Sequence, residues 1–162
     1  MAEFQLYDTL SRATQPLRPS DGKTLRFYCC GPTVYGPATI GNFRTFIIND
    51  VLYRTLQAAG LNPYYVRNLT DVEDKTIRDS RQAGEDLKTF TDRWTAFFHE
   101  DCRSLNLLPP DLEPKATEHI EEQIRLVETL IEKGHAYVGG DGSVYYRLRS
   151  FPDYGKLSHF DP

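Results

Sequence analysis

Cysteine is scarce in this 162-residue chain: there are three, of which Cys29 and Cys30 are adjacent and Cys102 stands apart. That count and spacing exclude a disulfide framework and point to a reducing cytoplasm. No apolar run approaches the ~20 residues of a membrane span. No basic-then-apolar leader precedes Phe4, so neither membrane insertion nor secretion is expected. Positive charge is not in excess either. Acidic residues outnumber basic ones, 23 to 19, for a net charge of −4, so any contact with nucleic acid must use a local patch or another domain. There is no Cys-x-x-Cys, and His99, His119, His135 and His159 are scattered, which suits packing or surface roles better than a metal set. Internal repeats and low-complexity segments are absent.

What is present is ordinary for a water-soluble domain. Apolar residues make up 40% and charged residues 26%, in a length that builds one sizeable core. Residues 25–30 mix apolar and aromatic side chains and stop at a Gly-Pro, as a strand does. Phe43, Ile47, Val51, Leu52 and Leu56 then recur at helical spacing, which predicts an amphipathic helix ending at Gly60. Residues 63–68 read as a second strand. Strand, helix and strand at this spacing form a βαβ unit, with parallel strands and a right-handed crossover. Ligands in such sheets bind outside the carboxyl ends of the strands, where Cys30 and residues 68–70 both fall.

Leu87, Phe90, Trp94, Phe97, Phe98 and Leu105 predict a further helix whose aromatic stripe packs a core. Leu108-Pro109-Pro110 is a break. Ile120, Ile124, Val127 and Ile131 mark one face of another helix, capped at Gly134. Residues 135–148 read as a hairpin turning at Gly139-Gly140-Asp141-Gly142.

The candidate chemistry gathers where the first strand meets the helix. Cys30 offers a thiolate, a soft ligand that suits zinc, although a buried strand cysteine is the simpler alternative. Cys29 should face the opposite side of the strand and serve the core, and Cys102 is expected to be structural. Thr39, Gly41 and Asn42 lie at a helix start, where free amides and the dipole favour anions such as phosphates. A helix start with a Thr cap explains the same residues equally well. Glu73 and Asp74 suit the first turn of a helix, and Arg67-Asn68 could brace the strand ends.

The run Cys30-Gly31-Pro32-Thr33-Val34-Tyr35, followed by Thr39-Ile40-Gly41-Asn42, resembles the cysteinyl-tRNA synthetases. That family carries C-G-x-T-V-Y and then a form of the class I HIGH tetrapeptide. The resemblance continues through Tyr65-Val66-Arg67-Asn68-Leu69-Thr70-Asp71-Val72-Glu73-Asp74-Lys75. It returns at Leu105-Asn106-Leu107, at Glu113-Pro114-Lys115-Ala116-Thr117-Glu118-His119-Ile120, and at Lys133-Gly134-His135-Ala136-Tyr137-Val138. It implies an α/β fold: the Rossmann-like parallel-sheet nucleotide-binding domain of class I synthetases, truncated, with a helical segment and a β-hairpin. The implied boundaries are about 20–80 for the βαβ core, about 81–135 for the helical segment, and about 135–162 for the hairpin and the start of the connecting insertion.

The activity implied is that of a cysteine–tRNA ligase, which forms cysteinyl-adenylate from cysteine and ATP and transfers the acyl group to tRNA(Cys). Thr39, Gly41 and Asn42 would cradle ATP, with Thr39 and Asn42 in catalytic roles. Gly31 and Thr70 would flank the amino acid, and Cys30 would hold zinc with a Cys, a His and a Glu from sequence not present here. The enzyme would be a monomer when full length. Family members are much longer, and their KMSKS loop and anticodon-binding helices match nothing here, so the chain reads as an N-terminal fragment, inactive alone, or as a naturally short relative. The family's first HIGH histidine is Thr39 here, and a hydroxyl cannot supply the charge of an imidazolium. Two alternatives accompany this reading: a cysteine ligase of the mycothiol-biosynthesis type, and a short non-catalytic module that binds a nucleotide, cysteine or a partner surface.

Overall fold

The computed structural model describes residues 4–160. Its elements run β1 (Gln5–Asp8), β2 (Ala13–Pro16), β3 (Leu25–Cys29), α1 (Ile40–Ala58), β4 (Pro63–Arg67), α2 (Asp74–Ala83), α3 (Leu87–Ser104), α4 (Ile120–Glu132), β5 (Ala136–Val138) and β6 (Val144–Tyr146). Residues 18–118 form one compact unit; residues 119–160 and the stretch before Arg18 form a second.

In the first unit β3 and β4 pair in parallel, from Leu25 opposite Pro63 to Cys29 opposite Arg67, and α1 makes the crossover between them. The mixed helix–sheet architecture with its parallel pair is the one expected. The free edge of β4 is also occupied. Residues 111–116 run alongside it through parallel bridges Val66–Leu112 and Leu69–Lys115. The Arg67 and Leu69 amides donate to Leu112 O at 3.1 Å and Pro114 O at 2.9 Å. Pro114 holds the preceding Glu113 extended, which suits this third lane.

The core is aromatic. Val34, Phe43, Phe46, Leu69, Phe98 and Cys102 pack together, with Ala38, Trp94 and Leu107 against them. Phe27 stacks on Tyr65 with ring centroids 4.8 Å apart.

The buried face of α1 departs from expectation. Phe43, Phe46, Asn49, Asp50, Tyr53 and Leu56 are buried, whereas Ile47 and Val51 are 41% and 57% exposed. The reason is polar. Asp50 Oδ1 accepts from the Leu108 amide at 2.8 Å and its Oδ2 from Arg54 Nε at 2.7 Å, which ties that face inward despite its charge. On α3, Phe90 and Phe98 are buried as expected, but Phe97 is 50% exposed, and Leu105, just past the helix end, is 45% exposed. A separate helix, α2, precedes α3 and ends at Gly84, whose φ of 69° is the left-handed conformation that glycine accommodates best.

In the second unit β1 and β2 form an antiparallel hairpin that the sequence pattern did not reveal. Its connection carries Arg12 at φ 52° and no glycine. The expected hairpin of β5 and β6 is present, with Gly139 N donating to Ser143 O at 2.7 Å. None of α4's residues is buried. No helix among the described residues is long and apolar enough to cross a membrane.

Candidate functional site

β3 ends at Cys29, one residue short of the expected strand, so Cys30 opens the turn that follows. Cys30 is exposed, Cys29 half-buried and Cys102 buried. Cys29 is therefore only partly the core residue expected. Burial raises its thiol pKa, the neighbouring Cys30 adds to the rise, and Arg67 opposes it. Burial likewise pushes the Cys102 thiol up.

The turn after Cys30 lies against the end of β4. Thr33 and Thr70 bridge in parallel, the Val34 amide donates to Thr70 O at 3.1 Å, and the Thr70 amide donates to Pro32 O at 3.0 Å. The approach is so close that a Cβ on Gly31 would lie 1.6 Å from the Asn68 carbonyl oxygen, so the backbone there admits only glycine. The Gly31 N–H is already held by Asn68 Oδ1 at 2.9 Å. Gly31 therefore owes its identity to this contact. Cys30, Gly31 and Thr70 are thus brought together at the carboxyl ends of two parallel strands.

Asn68 and Tyr28 complete this corner. The Tyr28 hydroxyl donates to Asn68 Oδ1 at 2.7 Å, and Asn68 Nδ2 donates to Thr70 Oγ1 at 3.0 Å. Burial, and then the adjacent Cys30, raise the Tyr28 phenol pKa. Asn68 was foreseen only as a brace, and Tyr28 not at all. The signal for Tyr28 is its place two residues before Cys30, on the face that the expected strand through residue 30 would share.

Thr39 is the N-cap of α1. Its Oγ1 accepts from the Asn42 amide at 3.3 Å, and Asn42 Oδ1 accepts from the Thr39 amide at 2.9 Å and the Thr39 hydroxyl at 2.8 Å. This is a reciprocal capping box. The Thr39 carbonyl also accepts from Phe43 N at 3.0 Å. That is the first ordinary bond of the helix; of the four amides before it, the capping box satisfies those of Thr39 and Asn42, and Ile40 and Gly41 carry the other two. A Cβ on Gly41 would meet only Thr39 Oγ1, at 3.6 Å, so the chain itself does not require glycine there.

Charged residues of the 65–75 and 113–120 blocks pair across the two segments. Arg67, 3% exposed, donates Nε and Nη2 to Glu113 Oε1 at 2.8 and 2.6 Å and lies over the Phe98 ring. His99 Nε2 meets Glu113 Oε2 at 2.6 Å. Burial pulls the Glu113 carboxyl upward, but the bonds and charges of His99 and Arg67 outweigh it and hold it below the ordinary value. Asp71 accepts from the Thr117 amide at 2.9 Å and hydroxyl at 2.5 Å. At the start of α2, the Glu73 amide donates to Thr76 Oγ1 at 2.9 Å. Among the described residues no three His, Cys, Asp or Glu side chains gather as metal ligands. Cys30 is thus a single thiol, and the chain alone does not fit zinc.

Residues 16–161 match the model of the family described as tRNA synthetases class I (C) catalytic domain. A cysteine–tRNA ligase of Opitutus terrae is 53% identical over 96% of the chain, which covers 35% of that relative. One of Methanosarcina mazei is 48% identical over 98% of the chain, covering 33% of it. One of Thioalkalivibrio sulfidiphilus is 43% identical over 96% of the chain, covering 34% of it. The chain therefore spans about a third of the length of the curated relatives it matches. Among solved structures, a LeuRS of Agrobacterium radiobacter K84, crystallised in a ternary complex with tRNA and LeuAMS, superposes with a TM-score of 0.61. Identity is 20%, with 68% of this chain and 15% of that one covered, a likeness of fold alone.

Proposed function

This chain belongs to the family of tRNA synthetases class I (C) catalytic domains, and we propose that, within a longer polypeptide, it activates cysteine with ATP and transfers it to tRNA(Cys). The observation that carries this reading is the corner itself: an exposed thiol, a hydroxyl and a capped helix start, all at the carboxyl ends of parallel strands. In the proposed reaction a cysteine carboxylate oxygen attacks the α-phosphorus of ATP. Pyrophosphate leaves, and a ribose hydroxyl of the terminal adenosine of tRNA then attacks the acyl carbon, taking the acyl group and releasing AMP.

In this reading Gly31 and Thr70 border the amino acid, with Gly31 acting by letting the turn lie close. Thr39, Gly41 and Asn42 shape the ATP side. The amides of Ile40 and Gly41 and the positive end of α1 favour phosphate oxygens. The protein's part is positioning and charge stabilisation, with no covalent nucleophile. Cys30 would contribute one thiolate to a zinc whose other ligands lie outside this sequence. A zinc thiolate site would favour cysteine over serine, because a thiol binds that metal far better than a hydroxyl.

Cysteine-dependent exchange of pyrophosphate into ATP, measured on the full-length protein, tests the proposal. Exchange that requires cysteine is expected. A full-length protein that exchanges no pyrophosphate with cysteine, or does so equally with serine, would sink it.

A further inference from the structure

The Asn68 amide has its orientation dictated by its neighbours. A backbone N–H can only donate, so the Gly31 amide at 2.9 Å must face Oδ1, and Nδ2 is turned toward Thr70 Oγ1 at 3.0 Å. The Tyr28 hydroxyl, at 2.7 Å from the same Oδ1, then donates to it. Thr70 therefore accepts from Asn68 through a lone pair, and its own proton has no acceptor among the described residues. Its backbone is fixed on both sides by Pro32 O and Val34 N. The result is a rigidly placed hydroxyl whose free valence is a donor, beside an exposed thiol.

We propose that Asn68 is a positioning residue that presents the Thr70 hydroxyl as a hydrogen-bond donor to an acceptor oxygen of the amino acid bound beside Cys30. The inference rests on the reading above that an amino acid is activated at this corner. Asn68→Asp separates the roles. A carboxylate still accepts from Gly31 and Tyr28, but it also accepts from Thr70, so the hydroxyl proton turns inward and only lone pairs face the ligand.

The test is pyrophosphate exchange by the full-length protein, with the KM for cysteine and for ATP measured separately. Asn68→Asp should raise the cysteine KM about tenfold, the loss of one hydrogen bond to a charged acceptor, and leave the ATP KM unchanged. In a Thr70→Val background, which has no hydroxyl to orient, the same substitution should add almost nothing. Should Asn68→Asp fail to fold, Tyr28→Phe removes one of the two donors that hold Oδ1. It should raise the cysteine KM a few-fold, and only when Thr70 is present. An unchanged cysteine KM in both variants, or an equal rise without the Thr70 hydroxyl, overturns the proposal while leaving cysteine activation intact. A wild-type protein with no cysteine-dependent exchange overturns the functional reading and this proposal with it.

Discussion

In the unit of residues 18–118, charged side chains lie inside: Arg67 and Asp71 are each 3% exposed. In the unit that contains residues 119–160, Ala136 is the only buried side chain among the described residues. Ile124 and Leu126 on α4 are 51% and 62% exposed, and no residue of that helix is more than half-buried. A buried charge is tolerated only with its partner in place, so it ties together particular residues that are distant in sequence. An exposed apolar face ties down nothing. The 65–75 and 113–120 blocks stand apart in the sequence, yet in the structure each supplies partners for the other: Arg67 to Glu113 and Asp71 to Thr117. The candidate site sits on this interlocked unit. Catalytic geometry needs that kind of support, because a small misplacement is costly.

The sharpest way to break this contrast is Arg67→Leu. It strands the Glu113 carboxylate and should cost about 3–5 kcal/mol in chemical denaturation, the range for removing one partner of a buried pair. A cost below about 1 kcal/mol, the level of an exposed pair, would mean that the interlock is unimportant. Acid should act on the same contact. The Glu113 carboxyl is held below its ordinary value of 4.5, so its contribution is present above that pH and is lost as pH falls through the depressed value. Thermal melts taken from pH 6 downward should therefore decline less steeply for Glu113→Gln than for wild type, and parallel curves would contradict the assignment.

Thr39→Ala, which removes the α1 cap, should cost about 1 kcal/mol. Thr39→His exchanges a good cap for an imidazole, so in the full-length protein it should lose similar stability yet speed adenylate formation about 10- to 100-fold. Equal rates would show that Thr39 is no handicap. At the small end, Ile124→Gln on the exposed α4 face should stay within about 0.5 kcal/mol of wild type in the 162-residue chain. A larger loss would mean that this face is packed after all.

The fold was legible where hydrophobic period and punctuation agreed. The β3–α1–β4 unit, α3 and the β5–β6 hairpin all followed from apolar spacing and from Gly or Pro at their ends. The buried face of α1 was not legible, because Asp50 is drawn inward by the Leu108 amide, with Asn49 buried beside it, while Ile47 and Val51 stay outside. The β1–β2 hairpin lacked the usual turn residues, since Arg12 takes the left-handed conformation without glycine. The lane at residues 111–116 carries two prolines upstream and reads as loop until β4 is in place beside it. At the site, Cys30 and Thr70 could be placed at strand ends from spacing. Asn68 as the joint between them could not, because its role depends on which atoms face Gly31, Tyr28 and Thr70.

In the proposed function the exposed Cys30 thiol, just past β3, handles the substrate, while its half-buried neighbour Cys29 does not. Comparing Cys30→Ser with Cys29→Ser in the full-length protein tests this most directly, by zinc content and by the ratio of cysteine to serine activation. Cys30→Ser should lose zinc and most of the discrimination against serine, while Cys29→Ser keeps both. Loss of zinc and discrimination from the Cys29 variant alone would contradict the claim and place the chemistry on the other thiol.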